Sequence, residues 1–567
     1  MLEDIIAVAR GEAPADLLLR DAQLVNVCSG EIHPADVALY DGRIVGFGEY
    51  EARETLDLKG HYLCPGFIDA HIHLESSMVA PPQFARAVLP RGTTAVVSDP
   101  HEIANVLGVE GIRYMLDASQ DTPLDVYVML PSCVPATHMG TSGASLSAED
   151  LTPLWDHPRV IGLAEMMNAP GVLFRNPGVL AKLRSAGERP IDGHAPSLSG
   201  KDLAAYIAAG VRSDHECTTL EEAREKLRLG MHIFIREGTT ARNLRDLLPL
   251  VTPQNAHMCH FCTDDRHPAD LLEEGHMDDL VRTAIGEGLD PIVAIQMATL
   301  HTARTFGLRN VGAVAPGYQA DLVVFDNPQD LAILQVFKAG RRVAEGGEYC
   351  GPALSVPQPP AGAMNVAREG LNLTVPAEGE QIKVIEVVPG QIVTHKRVER
   401  ATVRNGEVMA EPERDLLKMA VVERHHATGK VGLGFVKGFG LGRGAIASSV
   451  AHDAHNIVVI GADDGDMRAA MDEVIGMGGG QVVVAGGEML ASVPLPVAGL
   501  MSDQPLEVVR DQVEALTQAA HRLGCLLPDP LMTMSFLALE VIPELKLTDQ
   551  GLVDVVQFDF VSLFGEK

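Results

Sequence analysis

Positive charge is scarce in this sequence: 45 Lys plus Arg stand against 76 Asp plus Glu, a formal net charge of -31. Polyanionic partners reward clustered Lys and Arg, so neither nucleic acid nor an anionic membrane is expected as a partner, and small uncharged substrates stay open. Apolar runs long enough to span a bilayer are missing, and the start, Met1-Leu2-Glu3-Asp4, lacks a basic segment followed by an apolar one. A soluble, cytoplasmic protein is the expectation. Cysteine is sparse too, with eight residues scattered from Cys28 to Cys525, which fits reduced thiols better than a disulfide framework. Cys259 and Cys262 have CxxC spacing but lie in an apolar stretch that reads as a strand, so buried thiols are preferred to a redox or zinc pair. The Gly-rich stretches Gly432 to Gly444 and Gly476 to Gly480 are not followed by Gly-Lys-Ser or Gly-Lys-Thr. They read as turns and close packing, not as a phosphate-binding loop.

What is present is length enough for two or three domains, 567 residues in all. Short β segments broken by turns run from about residue 16 to 62: Leu17 to Leu19, Gln23 to Val27, Asp36 to Leu39, Arg43 to Phe47 and Glu54 to Leu58, with Asp41-Gly42 as a hairpin turn. The same texture returns in Asp321 to Phe325, Leu334 to Lys338 and Arg341 to Glu345. The division expected is a composite β domain from residues 1–62 and 312–362, around a central unit spanning 63–311. In that unit, apolar runs recur every ~20–30 residues with helical or loop stretches between them, the pattern of βα units around a parallel sheet. Strand ends are predicted near His71, Ser98, Pro131, Glu165, His194, His215, Arg236 and Asp264. Eight such units make a (β/α)8 TIM-like barrel, whose active site forms at the C-terminal ends of its strands. From about Val366 the texture changes, and 366–567 is expected to form an α+β domain, with a strand at Ile382 to Val388 and a helix at Leu506 to Leu523.

The chemistry concentrates at those strand ends. In Pro65-Gly66-Phe67-Ile68-Asp69-Ala70-His71-Ile72-His73, strand alternation projects His71 and His73 to one face and Ile72 to the other. Glu165, His194, His215 and Asp264 each end a further predicted strand. Six imidazole or carboxylate groups would then converge on one rim. Nitrogen and oxygen donors without thiolate suit divalent Zn, Mn or Fe. Two histidines and two carboxylates could serve one ion, and two histidines with a shared carboxylate the other. A pair of ions about 3.5–4 Å apart lowers the pKa of a bridging water toward neutrality, so hydrolysis is the natural reaction class.

These residues resemble the amidohydrolase superfamily, whose barrels begin with PGFIDxHxH and end with an Asp after the eighth strand. Gly312-Ala313-Val314-Ala315-Pro316-Gly317-Tyr318-Gln319-Ala320-Asp321-Leu322 resembles that superfamily's return into its composite β domain. Many relatives bridge their ions with a carboxylated Lys; here Glu165 stands at that place, a departure from the hydantoinase and dihydroorotase pattern. Within the superfamily the chain is similar to the bacterial adenine deaminase family. The resemblance is carried by His73-Leu74-Glu75-Ser76-Ser77-Met78, Ser98-Asp99-Pro100-His101-Glu102-Ile103-Ala104-Asn105, Thr263-Asp264-Asp265-Arg266-His267 and Ser448-Ser449-Val450-Ala451-His452-Asp453-Ala454-His455-Asn456.

The resemblance implies a purine-salvage hydrolase that converts adenine and water to hypoxanthine and ammonia at a pair of divalent ions, Mn or Fe above Zn. His71, His73, Glu165, His194, His215 and Asp264 are then the expected metal ligands. Asp264 is expected to shuttle the proton, His101 to polarise or protonate the ring, and Glu75 to contact the purine edge. A cyclic amidohydrolase opening a lactam or hydantoin-like ring is the alternative, since the same nucleophile attacks an amide carbonyl. A homo-oligomer is compatible with a soluble barrel enzyme of this size. The stretch from His452 to Asn456 could reach the active site, bind a further metal, or form a hydrogen-bonded turn. His425-His426 reads as a polar surface pair, and Asp265 as a loop-capping residue whose loss should hurt less than that of Asp264.

Overall fold

The computed structural model describes residues 2–565; Met1 and residues 566–567, the outermost parts of the expected first and last domains, lie outside the described residues. One nine-stranded sheet draws its strands from both flanks of the central unit. Tyr62–Pro65 pairs parallel with Ala15–Asn26 on one side and antiparallel with Leu322–Phe325 on the other, in the register Leu63↔Val324. Asp41 and Gly42 both have positive φ, +48° and +71°, so the hairpin closes through the turn type whose twist matches the strands. The two β segments expected near residues 17 and 23 are one strand, Ala15–Asn26. Its register slips between Leu19 and Ala22 where Asp21 turns to φ +55°, which breaks the alternation and makes one strand read as two.

The central strands are parallel. Phe67–Ile72, Thr93–Ser98, Asp125–Leu130, Val160–Met166 and Ile191–Gly193 form one sheet, and Ser213–Asp214, His232–Arg236 and Cys259–Cys262 a second. Backbone hydrogen bonds bring the two together at both edges: Arg212 donates to the Ile191 carbonyl at 3.0 Å, while Asp264 N donates to His71 O and His73 N to Asp264 O, each at 3.0 Å. Phe67–Ile72 and Thr93–Ser98 are buried at every position, which is why they read as continuous apolar runs: helices such as Pro81–Val88 and Val109–Gln120 cover the outside. Inside, Ala70, Val97, Met129, Ala164, Phe234 and Cys262 meet in one apolar cluster beneath the strand ends. Cys262 is part of this packing, Cys259 is buried in a second apolar cluster with Ile233, Ile235 and Phe261, and burial pushes the Cys259 thiol up to about 12, so it carries no thiolate.

After residue 380 an eight-stranded sheet forms, with the helix Asp464–Gly476 packed on it through Met467, Met471 and Val474. This region docks over the strand ends of the central unit. Thr141 donates to both oxygens of Asp549 (2.8 and 2.6 Å), Thr137 Oγ1 to Glu540 (2.7 Å), and Ser502 N to the Met78 carbonyl (2.7 Å). Among the described residues no helix is long and apolar enough to cross a membrane.

One ion cluster ties the flanking sheet to the central unit. Lys338, buried, donates to Asp125 and to Asp321, each at 2.5 Å. Burial pushes the Asp125 carboxyl up, but the Lys338 ammonium and the Arg159 guanidinium 2.8 Å away together outweigh it and leave the carboxyl below its ordinary range. Lys338→Met is expected to destabilise the protein by about 3–5 kcal/mol in denaturant unfolding at pH 7, because it leaves the buried Asp321 carboxylate without its cation and the half-buried Asp125 with Arg159 alone. Since the folded pKa of Asp125 is depressed, its contribution is present above the unfolded carboxylate range and is lost as pH falls through the folded value. The gap between wild type and variant should therefore narrow in acid; a gap that is absent at pH 7 would remove this cluster from the account of stability.

Candidate metal centre

The strand Phe67–Ile72 slips register against its neighbour between Asp69 and Ile72. That irregularity lets Ala70 join the interior cluster while Ile72 packs outward against Leu74 and Phe84, and His71 and His73 both enter the site. Their Nε2 atoms are 3.2 Å apart. Asp264 Oδ1 lies 3.5 Å from the first and 3.2 Å from the second. Glu165, at the end of Val160–Met166, spans the site: Oε1 is 3.2 Å from His73 Nε2, and Oε2 is 2.7 Å from His194 Nδ1 and 3.3 Å from His215 Nε2. His71 and His215 stack at 4.2 Å. All six expected ligands are thus gathered, five buried and His194 half-buried.

Their protons fit a cation. His73 Nδ1 is 3.1 Å from the Asp99 carbonyl, which can only accept, so the proton sits there and Nε2 presents a lone pair. His71, His73 and Asp264 bring one donor atom each within 4.8 Å of one another, and His71, Glu165 and His215 do the same, arrangements of donors that divalent ions satisfy. Burial pushes the Glu165 carboxyl up, yet the His194 and His215 rings outweigh it and hold it well below the usual range. Burial likewise pushes Asp264 up, and His71, His73 and Arg236 together hold it well below. Burial and the neighbouring His215 push His71 down, toward the neutral ligand form.

His101 lies beside these residues, with Nδ1 3.0 Å from Asp99 Oδ2 and 3.6 Å from Glu165 Oε1. Glu75 is not in the cavity that the ligands line. It lines an adjoining one with Glu102, His452 and His455, accepts from Ile103 N at 3.1 Å, and burial pushes its carboxyl up to about 7. Asp265 also lines the cavity of the ligands, and its Oδ1 accepts from Ser76 Oγ.

Several residues that sequence reasoning left without a role join the site. Arg236 donates to Asp264 Oδ2 at 2.8 Å and to Glu216. Glu216 also faces His194 at 3.8 Å. Its place directly after His215 was the available signal, masked by the expectation that strand neighbours face opposite ways. Phe536, Leu539, Val541 and Ile542 from the C-terminal region, with Ile392, form an apolar wall opposite the ligands, and His452 and Asp453 line the same cavity. His425, expected on the surface, is buried and hydrogen-bonds the Ala454 carbonyl at 2.7 Å, holding the loop that carries His452.

Residues 62–343 match the amidohydrolase family, and residues 391–559 match the adenine deaminase C-terminal domain. An adenine deaminase from Desulfatibacillum aliphaticivorans is 54% identical over 570 residues, covering 100% of both chains. One from Methanothrix thermoacetophila is 51% identical, also over 100% of both, and one from Kosmotoga olearia is 48% identical over 100% of this chain and 99% of its own. The chain belongs to the adenine deaminase family. As in the amidohydrolase family generally, a divalent metal is the group for which the clustered His, Asp and Glu side chains of this adenine deaminase family member are suited. The C-terminal match covers Ile392, His452, Asp453 and the 536–542 wall, so the family's own domain supplies one side of the cavity.

Proposed function

We propose that this chain hydrolyses adenine, with water, to hypoxanthine and ammonia. The family relatives named adenine deaminase over the whole chain support the substrate. The observation that carries the chemistry is Glu165, whose two oxygens address His73 on one side and His194 with His215 on the other. In this reading His71, His73, Glu165 and Asp264 hold one divalent ion and His194, His215 and Glu165 the other, with Mn or Fe favoured and Zn also suited to the donors. Bound there, the ions supply Lewis acidity and bring the pKa of water toward neutrality.

The chain's own residues do the rest. Arg236 occupies Asp264 Oδ2, which leaves Oδ1 to take a proton from the water whose oxygen adds to C6 and to pass that proton to the amino group, which leaves C6 as ammonia. His101, in the cavity wall, polarises the ring near N1, while Glu75 stays in the adjoining cavity, behind Glu102 and His452. Phe536, Leu539 and Ile542 pack against the base and exclude bulk water.

The architecture that goes with this reading is a closed (β/α)8 barrel over 63–311, a composite β domain from 1–62 and 312–362, and a C-terminal α+β domain over 366–567. Its setting is the cytoplasm and purine salvage, as a homo-oligomer. The test is ammonia release and loss of adenine absorbance after metal-free protein is reloaded with Mn, Fe or Zn. Turnover is the expected result. Fully metallated protein that leaves adenine untouched but opens dihydropyrimidine rings would replace this substrate with a cyclic amide.

A further inference from the structure

The geometry points to a further divalent-cation site, separate from the pair, formed by His101, Glu102, His452 and Asp453 where the C-terminal region closes on the strand ends. Glu102 is the centre of this cluster. Its Oε1 has His101 Nε2 at 3.4 Å and His452 Nε2 at 3.3 Å, and its Oε2 accepts from His455 Nε2. One donor atom each from His101, Glu102 and Asp453 lie within 4.8 Å of one another. All five residues are between 1 % and 6 % exposed.

The position of every proton can be followed. His455 Nδ1 accepts from Ala451 N at 3.1 Å, so its proton is on Nε2, and the bond to Glu102 Oε2 is an ordinary donation. With its hydroxyl proton directed to the Met532 carbonyl at 2.9 Å, Ser535 is an acceptor for His452 Nδ1, 3.1 Å away. His101 Nδ1 faces the Asp99 carboxylate at 3.0 Å. Both of these rings carry their proton on Nδ1 when neutral, and both turn a bare Nε2 toward Glu102 Oε1. Two imidazole lone pairs and a carboxylate oxygen then converge with no proton among them.

Asp453 adds the independent sign. Its Oδ2 is buried without any hydrogen-bond partner. Protonating both rings would neutralise Glu102 but still leave that oxygen orphaned. A divalent ion satisfies both rings and both carboxylates at once, and the donor set, nitrogen and oxygen without sulfur, suits Mn, Fe or Zn.

None of the four residues is among the ligands of the pair. The site joins the start of the helix His101–Leu107 to the loop after Ala445–Ser448, so it would clamp the C-terminal region onto the barrel and place positive charge in the wall of the same cavity. The polarisation assigned to His101 would then be delivered by the ion it holds. The inference does not depend on adenine being the substrate.

The experiment is a Mn(II) titration of metal-free full-length protein, counted by mass spectrometry after gel filtration, with anomalous diffraction at the Mn edge to locate the ions. Wild type is expected to bind about three equivalents per chain, and Asp453→Asn and His452→Gln about two. His71→Ala/His73→Ala should keep the Asp453-dependent equivalent while losing ions of the pair, which separates failure of this site from failure of the pair. An anomalous peak enclosed by the four residues is the expected map. Equal counts in wild type and Asp453→Asn, or a further ion bound elsewhere, would overturn the site and leave the cluster as imidazolium rings paired with Glu102.

Discussion

Asp264→Asn is expected to lower kcat for adenine by about 10²–10⁴-fold, the range that removal of a positioned proton acceptor produces, with KM little changed. The backbone at Asp264 has φ +57°, a left-handed conformation that Asn adopts readily, so the exchange should not strain the turn. The Asn side chain keeps an oxygen for His71 and His73 but cannot take a proton from water. In the wild type, Arg236 and the two histidines outweigh burial and hold the carboxyl well below its usual range, so the acceptor form is present throughout neutral pH. Steady-state kinetics with metal content measured on the same sample checks this. A loss smaller than tenfold in fully loaded variant would take proton transfer away from Asp264.

The sequence carries much of this site because its parts obey local rules. Buried parallel strands appear as apolar runs, and polar residues at their ends stand out against them: Glu165 follows Val160 to Ala164, and Asp264 follows Cys259 to Cys262. Simple alternation, however, put His71 and His73 on one face for an incomplete reason. The register slip between Asp69 and Ile72 is what lets Ala70 and His71 both face inward, and a slip of one residue leaves no mark in composition.

Contacts made by docking were beyond reach. Glu102 meets His455 across 353 positions of sequence, and Phe536 reaches the cavity only because the C-terminal sheet settles on the strand ends. Neither has a period or a motif that names its partner. Arg236 was legible as a strand end but not as the clamp on Asp264, since that role depends on which neighbour its guanidinium meets after folding. Glu75 illustrates the opposite case: its motif suggested contact with substrate, and the chain turns it into the cavity behind His452.

Glu165→Gln should have the widest effect of any single exchange in the site. Glu165 is 3 % exposed and stands within 3.6 Å of four imidazoles, those of His73, His101, His194 and His215. Gln has nearly the same size, so packing survives, but it presents an amide N–H₂ where one half of the site requires an acceptor, and it removes the single negative charge that both halves share. Turnover of adenine is expected to vanish, and metal content to fall by about one to two equivalents per chain. Metal-free protein should feel the exchange as well. The folded pKa of Glu165 is depressed, so its pairing with the histidines stabilises the fold above the unfolded carboxylate range, and that stabilisation is lost as pH falls through the folded value. The metal-free variant should therefore unfold at lower denaturant concentration than metal-free wild type at pH 7, with the difference closing in acid. Asp453→Asn, by contrast, should cost only the equivalent held beside Glu102. If Glu165→Gln kept its full metal content, the two halves would have to be filled independently, and the carboxylate between them would serve to orient the histidines instead of joining the ions.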